Sequence, residues 1–222
     1  MTGYFKVYLY LFAVILTGLL FSCSHGKPNP RVSQTPIVPQ PPGRQFDKEP
    51  YKKYIPQQTL LSYVNQSNTI EPNHDAGPPF NKLNYNKVIA YDYDGVGGDG
   101  EDIYEIIENN KLIDRINKQQ QLSQQQVNDL TNCLGAKSTY GHTYAFCFEP
   151  NFGVVFYNGT KIVAGVSIAL GCNYLRSSIP IPATWADSIS IGKNYKYPAE
   201  GFSKKGNKNL LGLAKKLQFT PW

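Results

Sequence analysis

The chain's four cysteines are Cys23, Cys133, Cys147 and Cys172. A thiol can serve as nucleophile, redox partner, metal ligand or half of a disulfide. Cys23 closes an N-terminal apolar run and is treated below. His142 is the candidate base for Cys147. Five residues apart on one strand, the two side chains point to opposite faces, which speaks against a Cys–His pair. A zinc site needs three or four Cys/His ligands in paired spacing, and nothing here provides it. An odd set of thiols in an oxidising compartment leaves at least one over. The Asn158-Gly159 turn sets Cys147 opposite about residue 170. Cys147 and Cys172 are therefore a candidate disulfide, with Cys133 an alternative partner for either.

The second chemistry-bearing stretch runs from Asp92 to Asp102. Asp92, Asp94, Asp99 and Asp102, interleaved with glycines, make a candidate Ca²⁺ loop, since that ion takes six to eight oxygens. The EF-hand template fails here: Val96 and Ile103 stand where acidic ligands are needed. The competing reading is a solvated Gly-rich turn. A phosphate loop is disfavoured, because no Lys-Ser/Thr follows and the carboxylates repel phosphate. Lys204, Lys205, Lys208, Lys215 and Lys216 make the C-terminal segment basic. That is either the solvated face of a helix or a contact for anionic headgroups or an anionic envelope polymer. Tyr91, Tyr93, Tyr140, Tyr144, Tyr157 and Tyr174 are half-buried strand residues or an aromatic surface for sugars or proteins.

These residues need elements to hold them. Residues 87–93 alternate well enough for a strand. Segments 103–108 and 111–117 flank Asn109-Asn110 and read as two strands joined by a tight turn, because Asn tolerates positive φ. A single helix over 103–117 is the alternative. Ser123 and Gln126 form a capping box, with Leu122 and Val127 as its hydrophobic staple. Val127, Leu130 and Leu134 then share one helical face, so the spacing predicts a helix over 123–134. Segments 143–148, 153–157 and 161–170 read as strands, the last two joined by Asn158-Gly159. Residues 177–201 read as a looser segment. Leu210, Leu213, Ala214 and Leu217 predict an amphipathic helix over 204–217. The fold class expected is α+β: an antiparallel meander covered on one face by one or two helices, within a single domain 82–222.

The N-terminal third differs. Val7–Phe21 is apolar, follows Lys6, and is too short to cross roughly 30 Å of hydrocarbon. It suits a signal-peptide core. Leu20-Phe21-Ser22-Cys23 resembles the lipobox of bacterial lipoproteins, with a bulkier residue than usual at Phe21. The resemblance implies acylation of Cys23 and cleavage after Ser22. Ser24 in place of Asp implies passage to the outer membrane. The absence of an acidic run after Cys23 implies its periplasmic face. Residues 23–81 then read as a lipidated, Pro-rich tether, extended in part at ~3.1 Å per residue, with one short ordered segment at 59–64.

The stretch Leu122–Ser178 joins a stapled helix to Cys147, Pro150 and Gly153–Tyr157. An Asn-Gly turn, a return strand and Cys172-Asn173 follow. This resembles a group of uncharacterised lipoproteins from Bacteroidota-type bacteria. In those the return strand often ends Cys-x-x-Cys. Here Ala169 takes the first position, which argues against a redox or metal role at Cys172.

Composition bounds the rest. Charged residues are 17% and hydrophobic ones 41%, which excludes a fully disordered polyampholyte. Mean hydropathy is −0.37, which excludes a polytopic membrane protein. The function expected is a non-catalytic, lipid-anchored envelope module without a cofactor. Its partners are the membrane, through the lipid, and another envelope protein or an anionic envelope polymer; nucleic acid is not expected. An envelope hydrolase or thiol enzyme, with a site assembled from distant residues, is the alternative.

Overall fold

The structure is a computed structural model, and it describes residues 53–97, 102–141, 147–185, 187–191 and 195–219. All of them belong to the unit Glu49–Trp222. In chain order the elements are α1 (Gln57–Gln66), β1 (Lys87–Tyr93), β2 (Ile107–Glu108), β3 (Lys111–Leu112) and β4 (Ile116–Gln121). There follow α2 (Gln124–Gly135), β5 (Phe152–Asn158), β6 (Lys161–Ala169), β7 (Tyr174–Ser177), β8 (Ser188–Ile191), β9 (Tyr195–Pro198) and α3 (Lys204–Lys216). The fold is α+β, on a five-stranded antiparallel sheet of order β4-β1-β5-β6-β7.

The central strands are apolar almost throughout, and both of their faces are covered. Side chains alternate across a strand. Val88 and Ala90 of β1, with Phe152, Val154 and Phe156 of β5, enter one core cluster with α2 and α3. Ile89, Tyr91 and Tyr93, with Val155 and Tyr157, enter a second cluster with Leu60 and Val64 of α1 and Ile106, Leu112 and Ile113. The expectation of a sheet covered on one face is thus corrected. A run such as Val88-Ile89-Ala90-Tyr91 has no polar alternate positions because it has no wet face.

Small residues let the second layer approach. A Cβ on Gly153 would lie 2.6 Å from Ile106 Cγ1, and one on Gly165 would overlap Ile107 Cδ1. Beside them, the Ser167 hydroxyl accepts the Ile106 amide at 2.8 Å. Two sheet lysines hold helix ends. Lys87 Nζ donates to Val64 O at 2.7 Å and Asn65 O at 3.1 Å, at the end of α1. On the opposite face Lys118 Nζ donates to Leu217 O and Gln218 O, both at 3.0 Å, at the end of α3. Ammonium groups at helix C-termini satisfy orphan carbonyls and oppose the dipole.

The capping box at Ser123 and Gln126 is present, and Leu122 and Val127 are buried. Asn109 and Asn110 take φ of 50° and 59°, which closes the β2–β3 hairpin. The single helix over 103–117 does not form. Some expectations need correction. The tether to residue 81 ends earlier, because Leu60, Val64, Phe80 and Tyr85 are buried in the domain core. The meander turned at Asn158-Gly159 is present as β5-β6-β7, and β1 and β4 extend the sheet beyond β5. Of the strand expected over 143–148, residues 143–146 lie outside the described residues, while Cys147 and Phe148 are loop. The segment 177–201 carries a hairpin of its own, β8–β9.

Candidate functional site

Cys147 and Cys172 are joined by a disulfide, which ties the loop before β5 to the turn between β6 and β7. Cys133 is a free thiol near the end of α2, buried, with its Sγ 3.6 Å from Thr139 Oγ1. Burial pushes this thiol above its ordinary value, against smaller opposing effects of Thr139, Asn209 and Lys205. A buried thiol held protonated is a poor nucleophile. His74 is exposed, with Nδ1 3.3 Å from Asn81 O, and His142 lies outside the described residues. Cys147 is thus bridged, and Cys133 is largely buried with a raised thiol, so neither is an activated nucleophile.

The acidic stretch is also taken apart by the fold. Asp92 is buried within β1, opposite Lys118 in the register with β4. The Asp94 carboxylate accepts from Tyr54 Oη and from Asn117 Nδ2, each at 2.9 Å. Asp102 is exposed and accepts from Tyr104 Oη at 3.1 Å. Asp99 lies outside the described residues. Among the described residues no three His, Cys, Asp or Glu side chains gather to hold a metal ion. Of the candidate Ca²⁺ set, then, Asp94 already accepts from two protein donors, and Asp92 is buried in the sheet.

Among the described residues several concavities mark the surface. The first is a groove of 520 Å³ between α2 and α3. Leu130, Cys133, Leu210 and Leu213 form its apolar side. Lys205, Lys208 and Lys216 come from one face of α3, because intervals of three and eleven residues nearly close whole helical turns. From α2 come Gln126, Asn132 and the single carboxylate Asp129. Three ammonium groups against one carboxylate leave the groove positive. Both helices are firmly placed: Ser203 Oγ accepts the Gly206 amide at 3.1 Å to cap α3, and Gly206 lets α3 close onto Thr139.

The second is a trough of 1130 Å³ between α1, the β2–β3 hairpin and the β5–β6 turn. Tyr157 lies in it, its hydroxyl 2.8 Å from that of Tyr91. Burial first, and then the partner hydroxyl, raises Tyr91 well above the usual phenol value. Arg115 lies on its edge between the rings of Tyr54 and Tyr104, 5.8 Å and 4.9 Å from their centroids. Its guanidinium donates to Asp94 O and Val96 O, so it braces the adjoining loop. The third concavity, 300 Å³, lies where Trp185 meets the β8–β9 hairpin. Reading the sequence missed it, although the alternation in Ser188–Ile191 and Tyr195–Tyr197 is a strand signal.

What the fold defines is a class: an α+β domain with a two-sided antiparallel sheet. No protein-family model, curated protein or solved structure matches the chain. Among the described residues no helix is long and apolar enough to cross a membrane.

Proposed function

We propose that the chain is a lipid-anchored protein of the bacterial cell envelope. Its domain is a binding module, and the lysine-lined groove between α2 and α3 takes an anionic envelope polymer. The carrying observation is the groove itself: Lys205, Lys208 and Lys216 face one acidic group, Asp129, beside an apolar wall. Such a cleft concentrates anions and holds them by charge-assisted hydrogen bonds. The Leu20–Cys23 motif supports acylation at Cys23, and two or three acyl chains anchor stably at ~0.8 kcal/mol per buried CH₂. Outer-membrane attachment on the periplasmic face is the placement that Ser24 and the non-acidic residues after it favour. The Pro-rich segment after Cys23 spaces the domain from the bilayer.

The test uses the full chain in detergent with dextran sulfate as the anionic probe and plain dextran as control. Binding to the sulfated polymer alone is expected, weakening as salt rises. The triple variant Lys205→Glu, Lys208→Glu, Lys216→Glu is expected to bind at least about tenfold more weakly. Unchanged affinity in that variant would overturn the groove assignment. Vesicles containing phosphatidylglycerol, tried beside the polymer, separate a headgroup ligand from a polymeric one. For the anchor, palmitate labelling in bacteria is expected on the chain and lost in Cys23→Ala. Persistent labelling of that variant would sink the lipoprotein reading.

A further inference from the structure

Trp185, Tyr195 and Tyr197 are 70%, 67% and 47% exposed, whereas the other aromatic side chains among the described residues are largely packed inside. Trp185 ends the short turn Pro182–Trp185, and the two tyrosines lie two apart on β9. Trp185, Tyr197 and Pro198 line the third concavity together with Asp187, Ser188 and Lys196. One small hollow thus presents aromatic faces, a carboxylate, a hydroxyl and an ammonium group.

Its base is fixed to the domain. The Ala199 amide donates to Asp187 O, and the Gly141 amide to Ala199 O, each at 2.9 Å. A bridge between Tyr140 and Phe202 follows at once, and both of those rings are buried. On the other side Thr184 Oγ1 donates to Ile181 O at 2.8 Å, which steadies the turn that carries Trp185. The backbone that carries the rings is therefore anchored to the domain, which lowers the entropic cost of binding.

We infer that this hollow is a carbohydrate-binding site for a linear oligosaccharide. A pyranose ring has an apolar C–H face and a rim of hydroxyls. The first stacks on an indole or phenol ring. The second needs donors and acceptors beside the ring, and Asp187, Ser188 and Lys196 supply them. Tyr195 is the next residue on the same side of β9 as Tyr197, about 6.6 Å further along. A chain longer than one sugar unit meets it as a second platform.

The alternative fits less well. An apolar tail would leave Asp187 and Lys196 without a role. The site is separate from the α2–α3 groove, so it stands or falls independently of the anionic-polymer reading.

The sequence holds two tryptophans, Trp185 and Trp222. In a Trp222→Phe chain the fluorescence reports on Trp185 alone. The full chain carrying that change is titrated, in a detergent without a sugar headgroup, with cellotetraose and with chitotetraose. A saturable blue shift with at least one tetramer is expected, with a midpoint at or below about 1 mM. The matching monosaccharide should bind more weakly. By calorimetry, Trp185→Ala and Tyr197→Ala should each weaken binding by about tenfold or more. Trp185→Tyr should retain part of it. Lys82→Ala, at an exposed position outside both candidate sites, should leave it unchanged.

No saturable response to either tetramer, in protein whose thermal unfolding is cooperative, overturns the inference. So does full sugar affinity in Trp185→Ala. So does a Trp185 blue shift caused by phosphatidylglycerol vesicles with no response to sugar, which would make the patch a membrane contact.

Discussion

Gly165 lies directly under Ile107, close enough that a methyl group at position 165 would overlap the Ile107 Cδ1 atom. This contact joins β6 to β2 of the β2–β3 hairpin, beside the second core cluster. Gly165→Ala should therefore destabilise by about 1–3 kcal/mol through overpacking. Gly212, inside α3 with open space around its Cα, is the opposite case. Gly212→Ala should stabilise by roughly 0.5–1 kcal/mol through helix propensity. Urea unfolding of both variants beside the parent checks the pair, and equal midpoints for all three would refute the close-approach argument.

The Cys147–Cys172 bridge spans a sequence separation of 25. Closing a loop of that length restricts the unfolded chain by about 3 kcal/mol. Cys147→Ser with Cys172→Ser should lower stability by that order, and dithiothreitol should lower the parent to match. The reductant should do nothing further to the double variant, whose remaining thiol in the described domain, Cys133, is unpaired.

Alkali should unfold the domain earlier than its fold class alone suggests. Tyr91, Tyr93, Tyr140 and Tyr157 all have hydroxyls raised above the ordinary 10.0, chiefly by burial. Each is neutral in the folded state. Below pH 10 the unfolded phenols are neutral too, so stability is whole. Above it the unfolded chain releases protons that the folded chain retains, and stability falls as pH rises. Ultraviolet titration should show exposed tyrosines ionising first and the buried set only together with loss of structure. Independent ionisation of all tyrosines near pH 10 would contradict this.

Lys87 is buried, and its ammonium group serves two carbonyls at the end of α1. Lys87→Met keeps most of the stem's packing and leaves those carbonyls without a donor, at a cost of about 1–3 kcal/mol. Hydrogen exchange should quicken over 57–66 more than over 124–135. Uniform quickening would mean that the loss is global and not a loosened helix end.

Local chemistry was legible from the residues alone. Ser123 with Gln126, Asn109-Asn110, and Asn158-Gly159 each act within a few positions, and each forms the cap or turn that its side chains dictate. What escaped is decided over distance. β4 reads as Ile-Asn-Lys-Gln-Gln-Gln, and its polar pattern suits an edge strand that is only half buried. α1 follows prolines and buries only Leu60 and Val64, too few to announce a helix. Gly153 and Gly165 look like ordinary strand interruptions until Ile106 and Ile107 are seen above them. The site residues were harder still. Lys205 and Asp129 face one groove only because α2 and α3 pack side by side. The hollow beside Trp185 needs a turn, a hairpin and the anchoring of Ala199 before it exists.

The sheet with two covered faces has an evolutionary corollary. Little of its apolar surface is left open, and the sites proposed above lie at its margins: the groove between α2 and α3, and the hairpin that stands apart from the main sheet. Residues there, such as Lys208 and Trp185, are exposed and contribute little to the packed interior. Ligand preference can drift by substitution at the edge while the same interior persists, and descendants of one scaffold can diverge in what they hold without relearning how to fold.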